Sequence, residues 1–191
     1  MLTLEPLTLE KIEAFREMLG SSEFGGCFCA VWTSFGDDWG ARCADKTQPN
    51  FFITKKNLEE GRHIGFLVYQ DSELVGWTGS GPKTSFPFLK TKLGSRLSEF
   101  SAKTWSVGCL AVKEKFRGRG IANAIVQAVI EKARNEGAVA VEAYPVRPYH
   151  EPRIFRGTQS LYERLGFTEV GADKDGEHEI VLMEVSLKGQ L

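Results

Sequence analysis

The sequence predicts an α/β protein with a mixed central sheet of about seven strands flanked by helices. Its central part, residues 104–146, has the pattern of a strand, a loop, a helix and a second strand, which makes the two strands parallel. Short apolar runs joined by turn residues lie on both sides of it, as antiparallel hairpins require. With 191 residues, 42% of them hydrophobic, the chain suits a single domain with a sizeable core over residues 1–191.

The central unit is predicted from its apolar spacing. Residues 105–112 form an apolar run with β-branched and aromatic members, short enough for a buried strand, and Gly108 allows a bulge within it. Apolar residues then recur at helical spacing from Ala122 to Ala133, and Gly137 supplies the helix stop. A second apolar run, 139–146, completes the unit.

The chain before this unit combines regular and irregular segments. Residues 1–7 alternate as a strand does, and Thr8 is a suitable N-cap for a helix that ends at Gly20. Residues 21–50 have no sustained period and many aromatic residues, so they form either a binding loop or a pair of short packed helices. The remaining predicted elements are a short helix at 49–61, strands at 63–69 and 73–81, a surface loop or short helix at 82–99, a loop at 147–153, a helix at 155–165, and a hairpin of strands at 167–170 and 178–187.

Composition limits the function classes. A net charge of −1 argues against a nucleic-acid partner bound through bulk charge. No apolar run reaches the length of a membrane span, so no membrane partner is expected, and residues 1–6 lack the features of a signal peptide. Four cysteines do not make a disulfide framework in a chain of this size, so a cytoplasmic location is expected.

The loop between the central strand and helix has the features of an anion site. Gly118 and Gly120 let a ligand approach the backbone, and the first amides of the following helix have no partner within it. Basic residues surround the same turn: Lys113, Lys115, Arg117 and Arg119. The alternative is a tight strand-to-helix turn with solvated charges. A Walker A motif is excluded, because no Gly-Lys-Ser/Thr follows.

Two motifs resemble those of the GNAT N-acetyltransferase superfamily. Arg117-x-x-Gly120-x-Ala122, after Leu110-Ala111-Val112, is similar to the acyl-CoA-binding signature, and residues 160–167 (Ser-Leu-Tyr-Glu-Arg-Leu-Gly-Phe) resemble the C-terminal signature. The resemblance covers residues 105–185 in detail. It implies the GNAT fold, in which the central parallel strands splay apart for acyl-CoA, with the acyl-CoA-binding part at about 104–187.

The resemblance implies acetyl-CoA as co-substrate and no metal. Backbone groups of Leu110 and Val112 would pair with the pantetheine, and the amides of residues 118–122 would hold the pyrophosphate. The cofactor residues are Leu110, Ala111, Val112, Arg117, Gly118, Arg119, Gly120, Ile121 and Ala122. One departure concerns the last helix: many members have asparagine and alanine where this chain has Phe155 and Thr158.

Tyr162, within the C-terminal motif, is the predicted catalytic residue. A phenol of pKa about 10 stays protonated at pH 7 and can donate to a departing thiolate, whose conjugate pKa is about 8.5. The alternative is a tyrosine that only packs the helix on the sheet. A base is harder to assign, because only about one alkylamine in 2,500 is neutral at pH 7. Glu142, Asp37, Asp38 and a chain of waters are the candidates.

The acceptor pocket is predicted on the side of residues 21–50. Aromatic residues in an irregular segment beside a sheet often wall a substrate cleft, although plain core packing explains them equally well. The candidate substrate residues are Phe28, Trp32, Trp39, Trp77 and Glu142, with Phe24 and Trp105 as further aromatic residues. Cys109, beside the expected thioester, is either a covalent acyl acceptor or a small core residue. Cys27, Cys29 and Cys43 lack the spacing of a zinc site.

These observations predict an acetyl-CoA-dependent N-acetyltransferase. It would transfer an acetyl group to the amine of a small molecule by direct attack in a ternary complex. Two alternatives stay open: a non-catalytic acyl-CoA sensor with the same fold, and an N-acetyltransferase for proteins or peptides. The bulky segment 21–50 disfavours the open groove that a peptide needs. The oligomeric state is not fixed by the sequence, and a homodimer is compatible with it.

Overall fold

The computed structural model describes residues 1–36, 38–92, 100–149 and 155–188. Within these ranges the chain forms one mixed sheet with helices on its faces, as predicted. The strands are β1 (Leu2–Pro6), β2 (Phe66–Gln70), β3 (Glu73–Pro82), β4 (Thr104–Val112), β5 (Ala140–Ala143), β6 (Val146–Arg147), β7 (Thr168–Asp175) and β8 (His178–Ser186). The α-helices are α1 (Ile12–Leu19), α2 (Trp39–Ala44), α3 (Pro49–Glu59), α4 (Phe88–Lys92), α5 (Ile121–Asn135) and α6 (Gln159–Glu163).

The sheet has the order β1-β2-β3-β4-β5-β8, with β6 and β7 also paired to β8. β4 and β5 are parallel, and their pairing runs from Thr104 opposite Ala140 to Val107 opposite Ala143. The predicted strand 139–146 is therefore shorter than expected and is interrupted at Tyr144 and Pro145. β5 and β6 pair with successive parts of β8 and together take the place of one long strand. The eight strands of the described residues therefore fill seven places across the sheet.

Beyond Val107 the parallel pairing ends, so β4 and β5 diverge as predicted. β4 continues to Val112 in antiparallel pairing with β3 alone among the described strands. The edge of β4 that faced β5 is thereby opened over residues 108–112. This divergence creates the space in which the candidate site lies.

Two hydrophobic clusters cover the opposite faces of the sheet. One contains α1 and the aromatic residues of segment 21–50, with Phe15 against Trp77 at 4.6 Å between ring centroids. The other is built on α5, whose Ile125, Val126 and Val129 are fully buried. Across the described residues, no helix is both long and apolar enough to cross a membrane.

A β-bulge at Gly108 determines which side chains of β4 reach each face. Gly79 pairs with Cys109 and Ser80 pairs with Val107, so Gly108 has no partner on β3. As a result, Val107 and Leu110 belong to the α5 cluster, whereas Cys109 belongs to the opposite cluster. Without the extra residue, Val107 and Cys109 would share one face.

The irregular segments differ from the sequence prediction in detail. In segment 21–50 the chain forms a 3₁₀ turn at Ala30–Trp32 and the short helix α2, which agrees with the short-helix alternative. The last helix begins at Gln159 rather than near residue 155, because Gly157 is left-handed (φ 75°) and Thr158 caps the helix, accepting from the Leu161 amide at 3.2 Å. The predicted segment 82–99 contains a 3₁₀ turn at Lys83–Ser85 and α4, and its residues 93–99 lie outside the described ranges.

Replacing Gly108 with alanine tests the bulge. An added Cβ would lie 2.8 Å from the Trp32 ring and 3.1 Å from the Gly79 carbonyl oxygen. We expect Gly108→Ala to lower the free energy of unfolding by about 1–3 kcal/mol, measured by urea denaturation, because the ring or the strand must shift.

Gly40→Ala is the matched control for that change. Gly40 lies exposed in α2, and a Cβ there meets nothing within 4 Å. Alanine favours a helix over glycine by roughly 0.5–1 kcal/mol, so this variant should be as stable as the wild type or more stable. Equal stability of Gly108→Ala and Gly40→Ala would contradict the steric requirement at the bulge.

Candidate active site

The loop before α5 presents unpaired backbone amides toward solvent. Gly118 and Gly120 are left-handed (φ 73° and 77°), and Gly120 is the N-cap of α5. Among the described residues, no acceptor meets the amides of residues 118–123. These amides carry the positive end of the helix dipole, about half an elementary charge. The arrangement can therefore accept an anion such as a phosphate.

A cleft of about 470 Å³ opens beside this loop, and we call it the loop cleft. Apolar side chains from β4, α5 and the segment before α6 form its walls, and Arg117 and Arg164 supply positive charge. Its lining residues are Leu110, Val112, Phe116, Arg117, Gly118, Gly120, Ile121, Ala122, Asn123, Tyr149, Phe155, Gly157, Leu161 and Arg164. Two of the nine predicted cofactor residues, Ala111 and Arg119, are not in this lining. Ala111 is fully buried on the opposite face of the sheet, and the Arg119 guanidinium lies over the Phe116 ring, 5.8 Å from its centroid.

The opened edge of β4 is satisfied by two contacts within the chain. The Leu110 amide donates to the Phe155 carbonyl oxygen at 2.7 Å, and Arg117 Nε donates to the Val112 carbonyl oxygen at 2.9 Å. Arg117 also pairs with Glu23 at 2.5 Å. The two backbone positions assigned to the pantetheine thus face the loop cleft. An extended ligand that pairs with the Leu110 amide must displace the Phe155 carbonyl oxygen, whereas the Val112 carbonyl oxygen can accept a second hydrogen bond beside that of Arg117.

A second cleft, of about 290 Å³, lies on the other side of β4, and we call it the thiol cleft. Three thiols, two indoles and two basic side chains line it. Its lining residues are Cys27, Cys29, Val31, Trp32, Trp39, Gly108, Cys109, Val146, Phe155, Arg156 and His178. Phe155 lines both clefts, and the adjacent residues Cys109 and Leu110 line one each. The two clefts therefore meet at the bulged end of β4.

The thiol cleft rests on a strained turn. Phe28 and Cys29 are both left-handed (φ 45° and 54°), which non-glycine residues rarely adopt. Thr54 Oγ1 holds this turn by donating to the Phe28 carbonyl oxygen at 2.8 Å, and Trp77 Nε1 donates to Cys29 Sγ at 2.9 Å. The turn thus places Cys29 in the wall of the cleft.

Tyr162 lines neither cleft and is fully buried in the hydrophobic cluster on the α5 face of the sheet. Its hydroxyl donates to the Arg156 carbonyl oxygen at 2.7 Å. A Cβ on the adjacent Gly157 would lie 2.9 Å from the Tyr162 oxygen, so only glycine leaves room for the ring. Burial, with a smaller contribution from Cys109, raises the pKa of Tyr162 well above its usual value. The phenol is therefore protonated at neutral pH and has a hydrogen to donate.

Glu142 lies in a buried polar network rather than in a cleft. Its side chain is 0% exposed and accepts from Lys83 Nζ at 2.8 Å and from the Tyr144 hydroxyl at 2.8 Å. Ser106 Oγ lies 2.8 Å from the same hydroxyl. The structure thus places this base candidate in a buried ion pair with Lys83. The network lies next to Trp32, because the rings of Tyr144 and Trp32 are 6.1 Å apart, centroid to centroid. Of the other candidates, Asp38 pairs with Arg42 at 3.1 Å, and Asp37 lies outside the described residues.

The predicted aromatic residues separate into two groups. Trp32 and Trp39 line the thiol cleft. Phe28 and Trp77 are 0% exposed in the hydrophobic core instead, and Trp105 lies on the α5 face of the sheet. Composition could not separate them, because all are aromatic residues in apolar surroundings.

Among the aromatic and basic residues of the thiol cleft, sequence reasoning missed three: Phe155, Arg156 and His178. Phe155 could have been found, since it stands at a position where the chain departs from the GNAT pattern. Arg156 and His178 have no local signal, since one precedes a short helix and the other begins a strand. Although three thiols share the cleft, no group of three His, Cys, Asp or Glu in the described residues is arranged to hold a metal ion.

The family comparison identifies the class of protein. The model of the acetyltransferase (GNAT) family matches residues 28–167. The chain belongs to this family, as its two motifs predicted. No curated protein matches the sequence.

Solved structures share the fold at low identity. An aminoglycoside acetyltransferase, AAC(6')-Ib, in complex with coenzyme A is 14% identical to this chain, with a TM-score of 0.61. The match spans 98% of this chain and 96% of the aminoglycoside acetyltransferase. An N-acetyltransferase from Staphylococcus aureus Mu50 is 16% identical over 98% and 99%, with a TM-score of 0.58. The ribosomal-protein-S18-alanine N-acetyltransferase from Escherichia coli is 14% identical over 100% and 97%, with a TM-score of 0.55. At these identities the likeness shows the fold alone.

The Glu142–Lys83 pair is expected to be structural. Glu142→Gln removes the carboxylate to which buried Lys83 and Tyr144 donate, so we expect a loss of about 3 kcal/mol in the free energy of unfolding. A double variant with Lys83→Met should recover most of that loss, because it removes both charges together. Urea denaturation of the four members of this cycle measures the coupling. Wild-type stability of Glu142→Gln would contradict the structural role.

Proposed function

We propose that this GNAT acetyltransferase is a single-domain N-acetyltransferase that transfers the acetyl group of acetyl-CoA to the amine of a small molecule. The observation that carries the proposal is the meeting of two clefts at one point of β4, where Phe155 lines both. Direct transfer in a ternary complex needs such a junction, because the nucleophile must approach the thioester from a separate side. A binding module without turnover needs only the loop cleft.

The loop cleft suits acetyl-CoA in its shape and charge. The amides of residues 118–123 would hold the pyrophosphate, with Arg117 and Arg164 nearby. The opened edge of β4 offers the Leu110 amide and the Val112 carbonyl to the pantetheine, in the way a strand is added to a sheet. In this arrangement the thioester would lie near Cys109 and the bulge. That several GNAT structures contain coenzyme A or acetyl-CoA supports the choice of cofactor.

In the transfer step, the neutral amine in the thiol cleft attacks the thioester carbonyl. A C–N bond forms, the C–S bond breaks, the amine proton passes to water and the sulfur leaves as a thiolate. Tyr162 is the group proposed to stabilise that thiolate. Its hydroxyl would turn from the Arg156 carbonyl oxygen to the sulfur when Phe155 moves for the ligand.

The role of Tyr162 is hydrogen-bond donation rather than complete proton transfer. Even an unperturbed phenol is about 1.5 pKa units less acidic than a thiol, which makes full transfer to the thiolate unfavourable by roughly 2 kcal/mol. Burial raises the pKa of Tyr162 further and increases that difference. A donated hydrogen bond still stabilises the charge that develops on sulfur.

Replacing Gly120 with valine tests the phosphate site. Valine at φ 77° is strained, and its branched side chain would stand at the mouth of the loop cleft. We expect the Kd for CoA, measured by calorimetry, to rise at least about tenfold, or about 1.4 kcal/mol.

Gly137→Val provides the matched control. Gly137 has the same φ of 77°, and a Cβ at either glycine meets nothing within 4 Å. Gly137 follows the opposite end of α5, so the variant carries the same backbone strain about 25 Å from the loop. Equal affinity for CoA in the two variants would refute the phosphate cradle.

Tyr162→Phe tests thiolate stabilisation. Loss of the hydroxyl should lower kcat about 10–100-fold and leave the Kd for CoA within about threefold, because the interaction forms only as sulfur leaves. Tyr144→Phe removes a comparably buried hydroxyl and should change stability by about 1 kcal/mol with little effect on kcat. Unchanged turnover in Tyr162→Phe would end the catalytic assignment.

The first experiment for the activity as a whole is thiol release from acetyl-CoA with a panel of amines, with CoA binding measured in parallel. Turnover with an amine supports the proposed activity. CoA binding without turnover on polyamines, amino acids, aminoglycosides and peptides would favour the sensor alternative. Absence of CoA binding would overturn the proposed function.

A further inference from the structure

Two consecutive residues of segment 21–50, Glu23 and Phe24, contact two residues of the loop cleft. The Glu23 carboxylate pairs with the Arg117 guanidinium at 2.5 Å. The ring of Phe24, which is buried, lies 5.5 Å from the Phe155 ring, centroid to centroid. Arg117 and Phe155 are also the residues whose hydrogen bonds occupy the opened edge of β4. Residues 23–24, which we call the latch, therefore hold both of them.

The ion pair of the latch places a carboxylate beside the proposed phosphate site. Arg117 lines the loop cleft, and Glu23 is not among the described residues of that lining. The guanidinium is held from two sides, because Nε donates to the Val112 carbonyl oxygen and Nη2 donates to Glu23. Carboxylates and phosphates accept from the same fork of guanidinium donors. A pyrophosphate in the loop cleft must therefore replace Glu23 as the partner of Arg117 or bind against its negative charge.

The aromatic contact of the latch bears on the other end of the cofactor. The Phe155 carbonyl oxygen accepts from the Leu110 amide at 2.7 Å, and Phe155 lines both clefts. A pantetheine that takes the Leu110 amide has to displace that carbonyl group, which moves the Phe155 backbone. The packing of its ring against Phe24 must then change as well.

Two glycines join the latch to the thiol cleft. Gly25 and Gly26 are left-handed (φ 70° and 67°), and Cys27 and Cys29, which follow them, line the thiol cleft. A Cβ on Gly26 would lie 2.6 Å from the Cys43 carbonyl oxygen, whereas a Cβ on Gly25 would meet nothing within 4 Å. The chain is therefore closely packed at Gly26 and open at Gly25. A movement of the latch reaches the wall of the thiol cleft within a few residues of the chain.

Resting on the function proposed above, we propose that Glu23 and Phe24 are positioning residues for the transfer reaction. They hold Arg117 and Phe155 at the edge of β4 and yield both residues when CoA enters the loop cleft. The pyrophosphate replaces Glu23 as the partner of Arg117, and the pantetheine displaces the Phe155 carbonyl oxygen. Release of the latch rearranges residues 27–29, so the acceptor side takes its reactive form only with the cofactor in place.

Glu23→Gln tests the competition for the guanidinium. The variant keeps the size of the side chain and removes its charge. We expect the Kd for CoA, measured by calorimetry at low ionic strength, to fall about two- to fivefold, which is the range that an exposed ion pair allows. The gain in affinity should shrink at about 0.5 M salt, because salt screens charges at the surface.

Glu73→Gln is the matched control, since it makes the same change in net charge. Glu73 pairs with Lys115, both side chains are exposed, and neither lines the loop cleft. Its Kd for CoA should stay within about 1.5-fold of the wild type, as expected for a distant, screened charge. In an Arg117→Gln background, Glu23→Gln should have no larger effect than this control.

Hydrogen–deuterium exchange of residues 21–29 tests the release of the latch. The Phe24 amide donates to the Ser21 carbonyl oxygen at 3.1 Å in the closed latch. Addition of CoA should speed exchange in this segment at least about threefold, while exchange slows at residues 118–123, whose amides the ligand covers. Phe24→Leu keeps an apolar side chain of similar volume without the ring contact. This variant should show the faster exchange of residues 21–29 before CoA is added, with an unchanged circular dichroism spectrum.

The outcomes separate the latch from the activity on which it rests. A lower Kd confined to Glu23→Gln, with faster exchange of residues 21–29 on binding, supports the latch. Exchange that is unchanged or slower when CoA binds overturns it and leaves the cofactor site intact. A Kd for Glu23→Gln equal to that of the wild type or of Glu73→Gln overturns it in the same way. Absence of CoA binding in the wild type would show that the proposed function itself is wrong.

Discussion

The extra residue in β4 at Gly108 is the constraint on which the site depends. Because one residue has no partner on β3, the alternation of side chains reverses there, so that Cys109 faces the thiol cleft and Leu110 the loop cleft rather than the reverse. A larger residue at this position is strained, since a Cβ would lie 2.8 Å from the Trp32 ring and 3.1 Å from the Gly79 carbonyl oxygen. The bulge thus fixes both the floor of the thiol cleft and the wall of the loop cleft.

The divergence of β4 and β5 then determines what the opened edge can bind. An opened strand edge exposes amides and carbonyls that need partners. In this structure Phe155 and Arg117 supply them, so the chain itself holds the positions that an extended ligand would use. Binding of acyl-CoA would exchange these contacts for its own, and movement of Phe155 would change both clefts at once. If the loop cleft binds acyl-CoA and the thiol cleft binds the acceptor, as proposed, the two sites would be coupled through Phe155.

The parts predictable from sequence are those encoded over short distances. The turn at Gly118 and Gly120, the helix after it and the motif around Tyr162 each lie within a few consecutive residues, where spacing and turn chemistry determine the structure. The thiol cleft is different, because its lining residues come from positions 27–32, 39, 108–109, 146, 155–156 and 178, which are far apart in the chain. Trp32 and Trp77 have the same apolar character, and only tertiary packing buries Trp77 under Cys29 while leaving Trp32 at the cleft. The start of α6 was also missed, since the conformation of Gly157 overrides the helical spacing before it.

Proton movement connects these features. Glu142 is committed to Lys83 and Tyr144, and the buried phenol of Tyr162 holds its proton. In the proposed reaction the amine proton passes to solvent in the thiol cleft. An enzyme that works in this way would depend on a substrate that is partly deprotonated at neutral pH. The acidity of the acceptor amine would then be part of its specificity.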